Sequence, residues 1–185
     1  MPDNLVLIGF SGTGKSAVAR SLSARLGWPL VDTDQAIVER FGKSIATVFR
    51  DDGEAVFRAA EREIVAKACA GRRQVISLGG GASVDLRSRA LIKQGNFVVR
   101  LDASPETMLR RMRSSPGAEE RPMLAGEEPL ARIRRLLAER GEAYAIADIV
   151  VDTEGRTVEQ VATAVIEALE QRGNWRQGNR ERRCE

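Results

Sequence analysis

One stretch of eight residues, Gly9-Phe10-Ser11-Gly12-Thr13-Gly14-Lys15-Ser16, limits what this chain can become more than anything else in its 185 residues. It satisfies G-x-x-x-x-G-K-[ST] at every fixed position. Its surroundings agree, because an apolar run over residues 5–9 leads into it and a helical pattern opens at Lys15. The composition has a physical reason. Glycines let consecutive backbone N–H groups turn inward around a phosphate, and the N-terminus of the following helix adds the positive end of its dipole. Lys15 brings a point charge to the β- and γ-phosphates, and the Ser16 hydroxyl can ligate Mg²⁺. The motif specifies a nucleotide phosphate. It does not specify what receives that phosphate.

Four more apolar runs, at residues 30–32, 75–78, 96–101 and 149–152, are nearly continuous rather than alternating, as expected of strands buried on both faces. Helical spacing lies between them. Val18, Leu22 and Leu26 follow at steps of four; Phe57, Ile64, Val65 and Ala68 share a side of residues 55–70; Val161, Val165 and Leu169 repeat the pattern. Strands alternating with helices predict an α/β fold, a three-layer α/β/α sandwich around a five-stranded parallel sheet of the P-loop NTPase type. Two segments exceed simple crossovers. Residues 34–70 read as helix broken near Gly42-Lys43 and at Asp51-Asp52-Gly53, an excursion that covers a site, with the substrate-binding region expected at about residues 33–61. Residues 114–128 are polar and hold Pro116, Gly117, Pro122 and Gly126, which reads as a lid. Residues 1–172 form the expected single domain, and 173–185, polar and Arg-rich with a lone Trp175, read as a disordered basic tail.

There is no histidine, which excludes a Ser-His-Asp triad, an imidazole base and a His-held metal. Two cysteines, Cys69 and Cys184, are too few for a disulfide framework or a four-ligand zinc site. No apolar run is long enough for a membrane span, and Met1-Pro2-Asp3-Asn4 is too acidic for a secretory signal, so a cytoplasmic location is expected. The net charge of +3 needs dissection: residues 172–185 hold five arginines and two glutamates, which accounts for all of it. A neutral body with 4% aromatic residues is not expected to bind nucleic acid.

Asp32-Thr33-Asp34 closes the second predicted strand, at the carboxyl edge where open parallel sheets bind ligands. In extended chain, residues two apart face the same side. One carboxylate can then hold a water on Mg²⁺ while the other takes a proton from an attacking hydroxyl; a helix N-cap explains an Asp here equally well. Arg58 and Glu61, three apart on a helix, share a face. A guanidinium braced by a carboxylate offers a fixed fork to a substrate carboxylate, although such pairs are also common on plain surfaces. Gly79, Gly80 and Gly81 directly follow the third strand and permit close backbone approach to a ligand, or merely a turn. Arg121 in the predicted lid can reach charge developing on a transferring phosphoryl group, and Arg140 and Tyr144 follow on the next helical stretch.

Taken in order across about residues 4–170, these motifs resemble those of the shikimate kinases, P-loop kinases of the nucleoside-monophosphate-kinase-like fold. The resemblance implies transfer of the ATP γ-phosphoryl group to the 3-hydroxyl of shikimate, with Mg²⁺ as cofactor, ATP/ADP and shikimate as partners, and a monomer. It implies substrate contacts at Asp34, Arg58, Gly80 and Arg140, with Glu61, Gly79 and Gly81 beside them. It implies nucleotide contacts at Gly12, Thr13, Gly14, Lys15, Ser16, Ala17 and Arg121, and metal contacts at Ser16 and Asp32, with Lys15, Asp34 and Arg121 as the catalytic set. An arginine packing on adenine would fall at Arg111 or Arg113. Two departures stand out. The lid reads Arg121-Pro122-Met123-Leu124 where the family usually has Arg-Pro-Leu-Leu, and the loop after Thr153 lacks a proline often found there. A gluconate kinase-like enzyme of the same fold is the nearest alternative, since gluconate is also a hydroxy-carboxylate. An ATP-binding regulator whose tail binds nucleic acid is a more distant one.

Overall fold

The computed structural model describes residues 2–115 and 128–181, the side chains as far as residue 172. Strand β1 (Leu5–Ile8) feeds the glycine-rich loop and helix α1 (Lys15–Leu26). Strand β2 (Leu30–Asp32) is followed by α2 (Thr33–Phe41), α3 (Ile45–Asp51) and α4 (Glu54–Ala70). Strand β3 (Val75–Ser77) leads through a short 3₁₀ turn (Ala82–Val84) to α5 (Leu86–Lys93). Then come β4 (Phe97–Asp102), α6 (Pro105–Arg113), α7 (Pro129–Glu139), α8 (Gly141–Tyr144), β5 (Ile149–Asp152) and α9 (Val158–Glu181).

All four strand pairings are parallel, in the order β2-β3-β1-β4-β5. The strands coincide with the five apolar runs, and β1, at the centre, is buried along its whole length, which is why its sequence does not alternate. Leu5, Leu7, Val99 and Leu101 face one layer with Val18, Leu22, Val161 and Val165 of α1 and α9. Val6, Ile8, Ile76 and Val98 face the other with Val65, Ala68, Ile92 and Tyr144. The helical excursion breaks where expected: α2 stops at Phe41 before Gly42, α3 stops at Asp51, and α4 starts after Gly53. Among the described residues no helix is long and apolar enough to cross a membrane.

Three expectations differ from the structure or fall outside it. Asp34 is not in extended chain: β2 ends at Asp32 and Thr33 already begins α2, because the Asp32 carboxylate caps that helix. The backbone of α9 runs past residue 173, where a structureless tail was expected to start; the segment holds no proline, and glycines weaken a helix without ending it. Of the expected lid at 114–128, residues 116–127 lie outside the described residues, bracketed by the ends of α6 and α7.

Candidate active site

The carboxyl ends of β1, β2 and β3 bring three loops to one edge of the sheet, where parallel α/β folds bind ligands. The first is the glycine-rich loop. At two of its glycines it is pressed against β4 and α6 so that a side chain has no room: a Cβ at Gly9 would strike the Leu101 carbonyl, and one at Gly12 would meet the Met108 carbonyl at 2.5 Å. Lys15 is only 8% exposed. Its ammonium donates to the Gly9 and Phe10 carbonyls, both at 2.8 Å, and so is held across the mouth of the loop. Thr13 Oγ1 donates to the same Phe10 carbonyl at 2.8 Å. Helix α1 has Gly14 at its N-cap and no acidic residue in its first turn, so no side-chain acceptor caps its leading N–H groups. Ser16 lies exposed in that first turn.

The second loop carries Asp32-Thr33-Asp34. Asp32 Oδ1 accepts from the N–H groups of Asp34 at 3.1 Å and Gln35 at 3.3 Å, so the capping reading is correct for that oxygen. Thr33, which sequence reasoning passed over, is fully buried. Its Oγ1 accepts from Gly79 N–H at 2.9 Å and donates to the Ser77 carbonyl at 3.4 Å, stitching α2 to the third loop. Its one available signal was a β-branched residue between two carboxylates.

The third loop is the triple glycine. Gly79 lies directly against the Asp34 carboxylate, with Glu61 Oε1 close behind. Arg58 donates from Nη1 to Glu61 Oε2 at 2.7 Å and from Nε to Glu54 Oε1 at 3.3 Å, and its guanidinium sits 5.2 Å from the Phe57 ring centroid. The Glu61 side chain is 5% exposed. Burial pushes its carboxyl up, and the hydrogen bond and charge of Arg58, then the charge of Arg140, pull it back. Burial works against the Arg58 charge, but Glu61 and Glu54 outweigh it and the guanidinium stays charged. The Gly80 carbonyl accepts from Arg140 Nη1 at 3.0 Å and Tyr144 OH at 2.8 Å. Arg140 also lies 5.4 Å from the Phe10 ring, and a Cβ at Gly80 would sit 3.3 Å from Ser11 Oγ. The glycine-rich loop and the triple glycine therefore share a wall.

On the far side of the glycine-rich loop, Arg111 donates to Thr153 Oγ1 at 2.8 Å, to the Thr153 carbonyl at 2.7 Å and to the Gly12 carbonyl at 3.4 Å. Arg113 is exposed, so Arg111 is the one of the two braced against the loop. Glu154, also passed over, accepts from Ser104 N–H at 3.0 Å, Ser104 Oγ at 2.9 Å and Thr107 Oγ1, which binds the start of α6 to the loop after β5. Those hydrogen bonds, Thr107 first, hold its carboxyl down to about 2. Arg121 lies outside the described residues. No group of three or more acidic or Cys side chains among the described residues could hold a metal by itself. Mg²⁺ binds through one or two protein oxygens together with nucleotide phosphates, and the Ser16 hydroxyl and the Asp32 carboxylate are oxygens of that kind at this edge of the sheet.

A family model described as shikimate kinase matches residues 11–170. The shikimate kinase of Symbiobacterium thermophilum is 43% identical over 171 residues, 92% of this chain and 98% of that protein. The solved shikimate kinase from Acinetobacter baumannii in complex with shikimate superposes with a TM-score of 0.87 at 28% identity, covering 93% of this chain and 95% of that one. A gluconokinase from Sinorhizobium meliloti 1021 reaches a TM-score of 0.57 at 20% identity over 95% of this chain and 97% of that one, a likeness of fold alone.

Proposed function

The chain belongs to the shikimate kinase family, and from that membership we propose that it transfers the γ-phosphoryl group of ATP to the 3-hydroxyl of shikimate, releasing shikimate 3-phosphate and ADP. The observation that carries the reading is the shared wall. A cradle suited to a nucleotide and a cluster suited to a hydroxy-carboxylate meet where Gly80 abuts Ser11 and Arg140 spans Phe10.

Each group has a task in that arrangement. Lys15 and the N–H groups from Gly12 to Ala17 orient and offset the β- and γ-phosphates. Ser16 and the second oxygen of Asp32 would hold Mg²⁺, directly or through water, and Mg²⁺ bound with ATP neutralises charge on the phosphate oxygens. Arg58, stiffened by Glu61, and Arg140 clamp the shikimate carboxylate. Asp34 orients the attacking hydroxyl and accepts its proton. A loose phosphoryl transition state asks little base strength, so placement dominates. Arg121 is assigned to the transferring phosphoryl group and Arg111 to the adenine side. We assign these roles to a monomer whose catalytic unit is residues 1–172 with a lid at 114–128, working in the cytoplasm without nucleic acid or membrane.

The test is ATP consumption by wild type and by Lys15→Ala with shikimate, gluconate or DNA added. Shikimate alone is expected to stimulate wild type, and Lys15→Ala to stay at background. Stimulation by gluconate and not shikimate overturns the acceptor assignment.

A further inference from the structure

Three successive glycines have more conformational freedom than any other tripeptide, yet the turn after β3 has to present its backbone to a ligand in one shape. Its fastenings are few. Gly79 N–H donates to Thr33 Oγ1 at 2.9 Å, and the Gly79 and Gly81 carbonyls accept from Ala82 and Val84 at 3.1 and 3.0 Å. Among the described residues neither the Gly80 nor the Gly81 N–H has an acceptor. Among the described residues the peptide between those two residues is held through the Gly80 carbonyl, by Tyr144 OH at 2.8 Å and Arg140 Nη1 at 3.0 Å. In a trans peptide the C=O and the following N–H point to opposite sides. Pulling the Gly80 carbonyl toward α8 therefore turns the Gly81 N–H the other way. Arg58 lies against Gly81, where a Cβ would come within 3.1 Å of Nη1.

The two fastenings are not equivalent. Arg140 is a long, half-exposed side chain with a second task toward the acceptor. Tyr144 is 2% exposed, has two rotatable bonds and packs among Val6, Ile8 and Ala82. The face of its ring carries the Arg100 guanidinium 5.4 Å away, itself paired with Asp102 at 2.7 Å. Burial raises the phenol, against the pull of Arg140 and Arg100, so the hydroxyl keeps its proton and remains a donor. The Tyr144 N–H also closes onto the Arg140 carbonyl at 3.1 Å, which brings both side chains to one acceptor.

We propose that Tyr144 is a positioning residue for the acceptor: its hydroxyl fixes the Gly80 carbonyl and thereby sets the Gly81 N–H group, and the arm of Arg140, in the geometry that receives the shikimate carboxylate. This deepens the proposed function and rests on it. Without the hydroxyl the Gly80 carbonyl keeps only the long arm of Arg140, more of the ordering of its peptide falls on the arrival of substrate, and that entropy is subtracted from binding.

The experiment is Tyr144→Phe, which keeps the ring and its packing, assayed for kcat, both KM values, shikimate binding by calorimetry and thermal melting, beside wild type. The expected result is a shikimate KM and Kd raised about three- to tenfold, the span for losing one net hydrogen bond. ATP KM and Tm should be essentially those of wild type, and kcat at saturating shikimate should change less than KM. Unchanged shikimate binding in Tyr144→Phe, with an active wild type, overturns this inference alone. So does a parallel rise of both KM values with a fall in Tm, which marks a merely structural tyrosine. Wild type that does not phosphorylate shikimate overturns the functional reading instead.

Discussion

Gly79→Ala probes the carboxylate proposed to be catalytic, Asp34, without replacing it. Gly79 is buried and its φ is not positive, so alanine is tolerated by the backbone there. The conflict is steric: the new methyl would press into Asp34 Oδ1, with Asp34 Cγ at 3.3 Å and Glu61 Oε1 at 3.5 Å. To restore van der Waals contact the carboxylate has to retreat by about 1 Å. Asp34 is an exposed residue and the atom met is the far end of its side chain, so the overpacking cost to stability is about 1 kcal/mol. Displacement by that distance at a reacting centre costs on the order of 10²-fold in rate. Gly79→Ala is therefore expected to lose about two decades of kcat while ATP KM and the fold survive. Gly81→Ala is the internal control. Its methyl meets the tip of Arg58 at 3.1 Å, which gives by a few tenths of an ångström, so shikimate KM rises and kcat holds. The assay is steady-state ADP release over both substrate series, with a thermal melt of each variant. If folded Gly79→Ala keeps kcat within about threefold of wild type, well under 1 kcal/mol of barrier, Asp34 is not at the reacting hydroxyl.

Asp34→Asn should lower kcat by at least about 10²-fold with ATP affinity kept, whereas Asp32→Asn, which can still cap α2, should shift the Mg²⁺ dependence; the reverse pattern in a Mg²⁺ series exchanges the two roles. Glu154 titrates near 2 in the fold against an ordinary 4.5, so its contribution is complete above pH 4.5 and is lost as pH falls through 2. Urea midpoints of wild type should fall more steeply over that window than those of Glu154→Gln, and equal slopes refute the link to Ser104 and Thr107. Deleting residues 174–185 keeps Arg172, which pairs with Asp148 at 2.7 Å and lies 5.0 Å from the Phe97 ring. Tm should then move by less than about 2 °C, whereas Arg172→Ala should lower it by roughly 3–6 °C; the opposite order in a melting comparison places the anchor beyond residue 173.

What could be read from the chain alone was what depends on near neighbours in sequence. The glycine-rich loop announces itself because phosphate wrapping needs a fixed local string, and the breaks at Gly42 and at Asp51-Asp52-Gly53 do so because helices end on local chemistry. That Arg111 rather than Arg113 turns toward the glycine-rich loop was also within reach. Thr107, Met108 and Met112 are the buried positions of α6, and Arg111, four residues after Thr107 and three after Met108, shares their side of the helix, whereas Arg113, six and five after them, does not. The rest of the site depends on distance along the chain. Thr33 meets Gly79 across 46 residues, Ser104 meets Glu154 across 50, and Tyr144 meets Gly80 across 64. None of these pairs leaves a periodic trace, because each is one side chain bonded to one backbone group. Asp32 shows the same limit from the other side. Cap and ligand were weighed as rivals because a sequence shows a residue, not its two oxygens; in the fold Oδ1 caps α2, so the two roles do not compete. Arg58 and Glu61 were ambiguous for a related reason. Spacing places them on one face, but only the approach of Gly79 and Gly81 buries Glu61 and sets the pair apart from a solvated surface pair.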